Sequence, residues 1–181
     1  MLRAMGVFSA AVPALLLGAC MADTAPAPPL AVPAEASPTA QLQLTGWVVD
    51  EAAVLDEEIE SEFAGQLKAI RDDTLAQLVV VTVPSLGGQD IANYSFDLAN
   101  RWGVGHRDRD DGLLIVVAPT ERRVRIAVGL GLEERVDDAF AATVIDEMTP
   151  HFRTGDYDAG IQAGIDRLGE RLRETALREA A

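Results

Sequence analysis

The sequence predicts an α/β protein: a three-layer α/β/α sandwich with a small mixed sheet of about four strands flanked by helices. Three observations carry this. Two continuous runs of β-branched and apolar residues, Leu78–Val83 and Leu113–Val117, have the composition of strands covered on both faces. Segments with apolar residues at spacings of three and four separate and follow them, the pattern of helices with one buried stripe. The alternation of strand and helix is the order of an α/β sandwich.

The elements follow in chain order. Trp47-Val48-Val49 is a short apolar run ahead of Asp50. Ile59, Phe63, Leu67 and Ile70 mark a first helix, with Asp56 placed to cap it and Glu57 and Glu58 in its first turn. After the strand Leu78–Val83, Pro84 to Gly88 forms a loop. Ile91, Tyr94, Leu98 and Trp102 define a second helix, closed by Gly103. The strand Leu113–Val117 then turns at Pro119 to Arg122. Val124, Ile126 and Val128 alternate with Arg125 and Ala127, so the next strand covers one face. Val136, Phe140, Val144 and Met148 define a third helix, which Pro150 is placed to stop, and Ile161, Ile165, Leu168 and Leu172 a fourth, from about Ala159 to Ala176. The two central strands, joined through a helix, are expected to be parallel with a right-handed crossover; the short turn makes the next strand antiparallel. Trp47 and Trp102 are read as core residues.

The start of the chain has a different character. Arg3 precedes an apolar stretch from Val7 to Leu17, which ends in Leu17-Gly18-Ala19-Cys20. Small residues before a cleavage point mark an exported signal segment, and the apolar run is well short of the ~20 residues that span a bilayer. Leu-Gly-Ala-Cys resembles the lipobox of bacterial lipoproteins, in which the thiol is acylated and the peptide is cut before the cysteine. Cys20 is the only cysteine of the 181 residues, so no disulfide within the chain is possible. Residues 21–44 are rich in Ala, Pro, Ser and Thr and bury too little to fold. At ~3.1 Å per residue they form a tether reaching roughly 70 Å. The organisation expected is therefore a lipoprotein signal peptide over 1–19, a lipidated Cys20 with its tether over 20–44, and one folded domain over 45–181. The membrane contact is then the bilayer itself, through acylated Cys20. No Asp follows that cysteine, so by analogy with enteric sorting the location is the periplasmic face of the outer membrane in the cell envelope.

Charge excludes some partners. Fifteen basic residues against 29 acidic ones leave a net charge of −14. Nucleic acid is bound by clustered Lys and Arg, so it is no partner here. Nor is a nucleotide cofactor expected. There is no Walker loop, and Gly129-Leu130-Gly131 is shorter than a dinucleotide fingerprint and follows an antiparallel strand. Two histidines without ligand spacing argue against a zinc site. Ser85 lacks both a Gly-x-Ser-x-Gly setting and a partner base in view.

Carboxylates remain. His106 to Gly112 holds Asp108, Asp110 and Asp111. It is no EF-hand: with Gly112 at the sixth position, the first, third and twelfth would be Arg107, Arg109 and Ala118. The hairpin nevertheless gives a topological argument. Asp110 and Asp111 enter one of its strands while Gly129 to Glu133 leave the other, and paired strands lie ~4.8 Å apart. The two loops must share one edge of the sheet. Carboxylates there, with carbonyls presented by Gly129 and Gly131, suit a hard cation such as Ca²⁺. The plain alternatives are a charged surface turn for Asp110 and Asp111, and acids drawn to a helix start for Glu133, Glu134, Asp137 and Asp138.

Six segments in order resemble the TPM domain family, which includes the YgcG-like bacterial proteins. They are Val49-Asp50-Glu51-Ala52 with Val54-Leu55; the strand Gln77–Val83; Arg101-Trp102-Gly103-Val104-Gly105; Arg109-Asp110-Asp111-Gly112-Leu113-Leu114; Gly129-Leu130-Gly131-Leu132-Glu133; and His151-Phe152 with Gly155-Asp156-Tyr157 and Gly160. The resemblance covers about residues 46–170. It implies the α/β/α sandwich, a divalent cation (Ca²⁺ most often, or another such as Mg²⁺) and a membrane or lipid tether. It also makes Asp50, Asp110, Asp111 and Glu133 the candidate ligands; Asp50 rests on the resemblance alone, because a first helix antiparallel to the first buried strand starts it at the other pole, and either an additional strand at Trp47 reorients that loop or Asp50 is not a ligand. Asp111 departs from the Asn frequent in the family. Some members act as acid phosphatases, and others resemble accessory or assembly factors for membrane complexes. Two functions are therefore expected: a membrane-anchored, cation-binding accessory or quality-control module for membrane proteins, or a metal-dependent acid phosphatase acting on phosphomonoesters.

Overall fold

In the computed structural model, which describes residues 42–179, strand Val48–Asp50 (β1) pairs in parallel with Gln77–Thr82 (β2). Strand β2 pairs in parallel with Gly112–Ala118 (β3), and β3 pairs antiparallel with Arg123–Val128 (β4), giving the order β1-β2-β3-β4. The helices are Glu57–Thr74 (α1), Ile91–Trp102 (α2), Asp138–Thr154 (α3) and Tyr157–Glu179 (α4), with a 3₁₀ turn at Leu130–Leu132. These residues all belong to the unit Glu35–Ala181. The expected signal segment, the expected lipidated Cys20 and the expected tether up to residue 41 lie outside the described residues.

The expected sandwich is present. On one face of the sheet Val48, Leu78, Val80, Leu113, Ile115, Val117 and Ile126 pack with Phe63, Leu67 and Ile70 of α1, Val144 and Met148 of α3, and Ile161, Ile165 and Leu168 of α4. On the other face Val49, Val79, Val81, Leu114 and Val116 pack with Ile91, Tyr94 and Leu98 of α2. Strand β3 is buried at every position, which is why its sequence shows no alternation. Each fully buried Leu, Ile or Val here contributes about 1.5–3 kcal/mol of transfer free energy. The steps β1 to β2 and β2 to β3 move the same way across the sheet, yet α1 and α2 lie on opposite faces. The two crossovers therefore have opposite hands, and one of them departs from the right-handed rule.

Several local expectations are corrected. Pro150 does not stop α3, which continues to Thr154 and closes at Gly155 with φ 83°. The proline removes one N–H and crowds the carbonyl a turn earlier. It is exposed, and packing around it continues: Phe152 stacks on Tyr157 at 5.6 Å and packs against the core. Val136 is buried but precedes α3, whose cap is Asp137, with Phe140 N–H donating to its side chain at 2.7 Å. Asp56 stands at the start of α1, but only its backbone carbonyl is used, accepting from Glu60 N–H at 3.0 Å. The tryptophans do pack against the core, but at its margin and half-buried: Trp47 lies under the Arg71 guanidinium at 5.8 Å, and Trp102 donates to the Leu42 carbonyl at 3.1 Å.

Candidate functional site at the base of the hairpin

The hairpin register pairs Leu113 with Val128, so the segments before β3 and after β4 emerge at the same edge. Before β3 the chain makes a tight turn. The N–H groups of Arg109 and Asp110 both donate to the His106 carbonyl, at 3.0 and 2.7 Å. Asp110 is held at φ 48°, where a short polar side chain is tolerated better than most.

Asp111 is 6 % exposed and faces inward. Its Oδ1 accepts from His106 N–H at 2.7 Å and lies 3.0 Å from His106 Nδ1, while Oδ2 accepts from Arg109 Nε at 2.5 Å. Burial by itself would raise its pKa. The bonds from the His106 amide, the Arg109 guanidinium and the His106 ring outweigh it and hold the carboxyl below its ordinary value. The same residue's carbonyl accepts from Gln77 N–H at 2.9 Å, and Gln77 Oε1 accepts from Gly105 N–H at 2.9 Å. Asp111 thus ties the turn to the sheet.

The glycines after β4 serve that turn. A Cβ on Gly129 would lie 2.1 Å from the Asp110 carbonyl oxygen. Their amides donate across the gap, Gly129 to Gly112 at 2.8 Å and Gly131 to Asp110 at 3.1 Å. The Gly129 carbonyl is used within the 3₁₀ turn by Leu132 N–H at 2.9 Å. The pair is therefore required first for close backbone approach.

Beside this junction is a groove of about 440 Å³ whose lining includes Phe96, Asn100, Asp110, Gly129, Leu130 and Glu133. Asp110 and Glu133, separated in sequence by the whole hairpin, border the same hollow. Phe96 is 67 % exposed and Leu130 73 %, so the groove carries an apolar rim. Phe96 stands off the Ile91-Tyr94-Leu98 stripe of α2; an aromatic residue off the buried stripe was the available sequence signal for it. Glu133 also borders a second hollow, with Arg125, Asp137 and Asp138.

Asp50 is elsewhere. It pairs with Thr82 at the opposite edge of the sheet, five residues along β2 from Gln77, about 16 Å at strand rise. Strand β1 does not bring it toward Asp110, because β1 runs parallel to β2. One Asp50 oxygen accepts a short hydrogen bond from the Thr82 hydroxyl, and the other accepts from Leu55 N–H at 2.9 Å. Other acids are near. The Glu60 carboxyl is raised by burial, then by Asp50 and Glu57; that of Asp158 is raised by burial, then by Asp56, Asp156 and Asp50. Among the described residues no three His, Cys, Asp or Glu side chains form a ready ligand set. A cation at either edge would need backbone carbonyls or water to complete its shell.

Ser85, without a partner in the sequence reading, donates to Glu121 Oε1 at 2.7 Å, which also accepts from Leu86 N–H at 2.9 Å. That arrangement clamps a loop.

The comparisons with known proteins agree with this architecture. The sequence profile of the TPM domain family matches residues 48–171. The solution structure of the N-terminal domain of a protein from P. gingivalis is 36 % identical, with a TM-score of 0.68, over 74 % of this chain and 85 % of that one. Two other solution structures share the fold. The N-terminal domain of cg2496 from Corynebacterium glutamicum is 17 % identical (TM-score 0.58, 70 % of this chain and 79 % of that one). BA42 from the psychrophilic bacterium Bizionia argentinensis is 21 % identical (TM-score 0.60, 66 % and 82 %). A search of curated proteins returned no match.

Proposed function

From the premise that this chain belongs to the TPM domain family, we propose that it is an envelope-tethered module that binds a divalent cation and serves membrane proteins as an accessory or quality-control factor. The observation that carries the reading is the meeting of Asp110 and Glu133 at one groove, beside exposed Phe96 and Leu130. Carboxylate, carbonyl and water oxygens suit Ca²⁺, with Mg²⁺ the smaller alternative. An exposed apolar rim beside a charged hollow suits a protein partner. In this reading Asp110 and Glu133 supply ligands. Asp111, engaged with His106 and Arg109, holds the turn that carries Asp110. Asp50 would serve a separate cation at the opposite edge. The tether rests on Leu17-Gly18-Ala19-Cys20, which supports acylation of Cys20 and an outer-membrane location.

The phosphatase reading draws less support. A phosphate ester beside Asp110 and Glu133 needs cationic groups besides the metal. Arg109, one of the two arginines of that turn, is committed to Asp111 and His106.

Calorimetric titration of the full chain with Ca²⁺ tests the proposal. Asp110→Asn/Glu133→Gln is expected to lose one calcium site seen in the wild type, and Asp50→Asn to leave that site intact. Equal binding by the double variant would place the ion elsewhere. Hydrolysis of a generic phosphomonoester that vanishes with chelator and in the same double variant would favour the enzyme. For the anchor, Cys20→Ala should release the protein from the membrane fraction; unchanged fractionation and mass would refute acylation.

A further inference from the structure

We propose that the pocket at the opposite end of the hairpin is a docking site for an acidic peptide segment of a partner protein. The pocket, about 540 Å³, lies between the β3–β4 turn and the junction of α3 with α4. Arg122, Arg123 and Arg153 line it, and no Asp or Glu does. In a chain with 15 basic residues against 29 acidic ones, three guanidiniums gathered without an acid stand out. Arg123 has only a weak, exposed contact with Asp90 at 3.7 Å. Arg122 and Arg153 have no ion pair among the described residues. The neighbouring acid, Asp156, uses Oδ1 to accept from Ala159 N–H at 3.1 Å.

Arg122 adds a second observation. It is held at φ 54°, the left-handed region in which Gly or Asn is at ease. That conformation belongs to the hairpin turn, whose Pro119 carbonyl accepts the Arg122 N–H at 3.1 Å, and it fixes the arginine's backbone at the pocket.

The walls describe the ligand. Phe152 and Tyr157 stack at 5.6 Å with an interplanar angle of 27°, and both line the pocket. The hydroxyls of Thr149 and Thr154 donate to the carbonyls of Ile145 and His151, which leaves the guanidiniums as the principal donors. All three arginines are exposed at the mouth. A site that swallows a small molecule buries most of it and sets its polar groups inside. Cations at the mouth above an aromatic wall instead fit a chain that lies across the opening, its carboxylates on the arginines and an apolar side chain against Phe152 and Tyr157. The net charge of −14 disfavours such a segment on most of the surface, and an acid-free group of arginines is the place where it is least opposed. The site lies at the other edge of the sheet from the cation groove, and its test contains no metal, so either proposal can fail without the other.

Fluorescence anisotropy of the full chain in EDTA, with a labelled octapeptide of alternating glutamate and phenylalanine, tests this. Saturable binding is expected. It should be at least tenfold weaker for Arg122→Gln/Arg153→Gln and for a peptide with glutamine in place of glutamate. It should be unchanged for Arg107→Gln, in the turn at the other edge. Circular dichroism checks folding, and the single charge reversal Arg153→Glu gives the same reading if the double variant is unstable. Equal binding by the double variant or by the glutamine peptide would overturn the proposal. So would binding confined to a phosphoserine analogue of the peptide. Sedimentation covers the remaining occupant: a dimer of the full chain that dissociates in Arg122→Gln/Arg153→Gln would make a second copy the ligand and overturn the assignment to a partner.

Discussion

Gly131 packs so tightly on Arg109 that a side-chain carbon on it would lie 1.7 Å from the Arg109 carbonyl oxygen. The obstacle is backbone, which cannot swing aside as a long side chain can. Gly131→Ala is therefore expected to destabilise the domain by about 1–3 kcal/mol through overpacking, read as a lower denaturant midpoint. Gly65, on the exposed side of α1, has nothing within 4 Å of the same position. Gly65→Ala should stabilise by about 0.5–1 kcal/mol, since a helix interior favours Ala. If the two substitutions gave similar effects, the close junction of the two loops would be wrong.

Asp111 sets part of the acid stability. Its folded pKa is lowered despite burial, because the His106 amide, Arg109 and the His106 ring hold the ionised form. A lowered folded pKa gives stability that is fully present above the unfolded value, about 3.9, and is lost as pH falls through the folded value. Unfolding followed from pH 5 down to pH 2 should show a steep loss in the wild type below about pH 3.9. Asp111→Asn should be less stable at pH 6 and flatter in the acid range. Parallel curves would show that Asp111 is not held as described.

Thr82 is buried between Asp50 and the turn that follows β1. Its hydroxyl donates to Asp50 and accepts from Ala52 N–H at 3.1 Å. Thr82→Val keeps the shape and removes both bonds. The expected cost is about 1–3 kcal/mol, because a carboxylate oxygen and an amide lose their partners together. Hydrogen exchange should also quicken at Ala52. Protection equal to the wild type there would separate the Asp50 turn from Thr82.

Pro150 is a removable defect of α3. Pro150→Ala restores an N–H one turn after Asp146 at an exposed position. The missing bond and the ring clash cost about 3 kcal/mol in a helix interior, and the proline recovers about 0.4–1 kcal/mol by restricting the unfolded chain. A net gain of about 2–2.6 kcal/mol is expected from these opposing terms, as a melting temperature raised by several degrees. A lower melting temperature would mean that α3 depends on the bend.

Much of the fold is written in local pattern. The runs Leu78–Val83 and Leu113–Val117 are continuously apolar because helices cover both faces of the sheet, and the stripe Phe63-Leu67-Ile70 faces the core it predicts. The edge shared by Asp110 and Glu133 is also legible, since a short turn forces β4 back along β3 and brings the two ends of the hairpin together. Tertiary structure alone decided the rest. The direction of α1 already implied the far edge for Asp50; what pairing between distant segments decided is that the added strand β1 runs parallel to β2 and leaves it there. Asp111 turned inward because the His106 amide and Arg109 reached its oxygens, a matter of loop closure and side-chain rotamer that spacing does not encode. Arg122, Arg123 and Arg153 met because α3 runs past its proline to the end of the hairpin. Period and composition report which side of an element faces the core; which outward side chains become neighbours is set by how the elements stack.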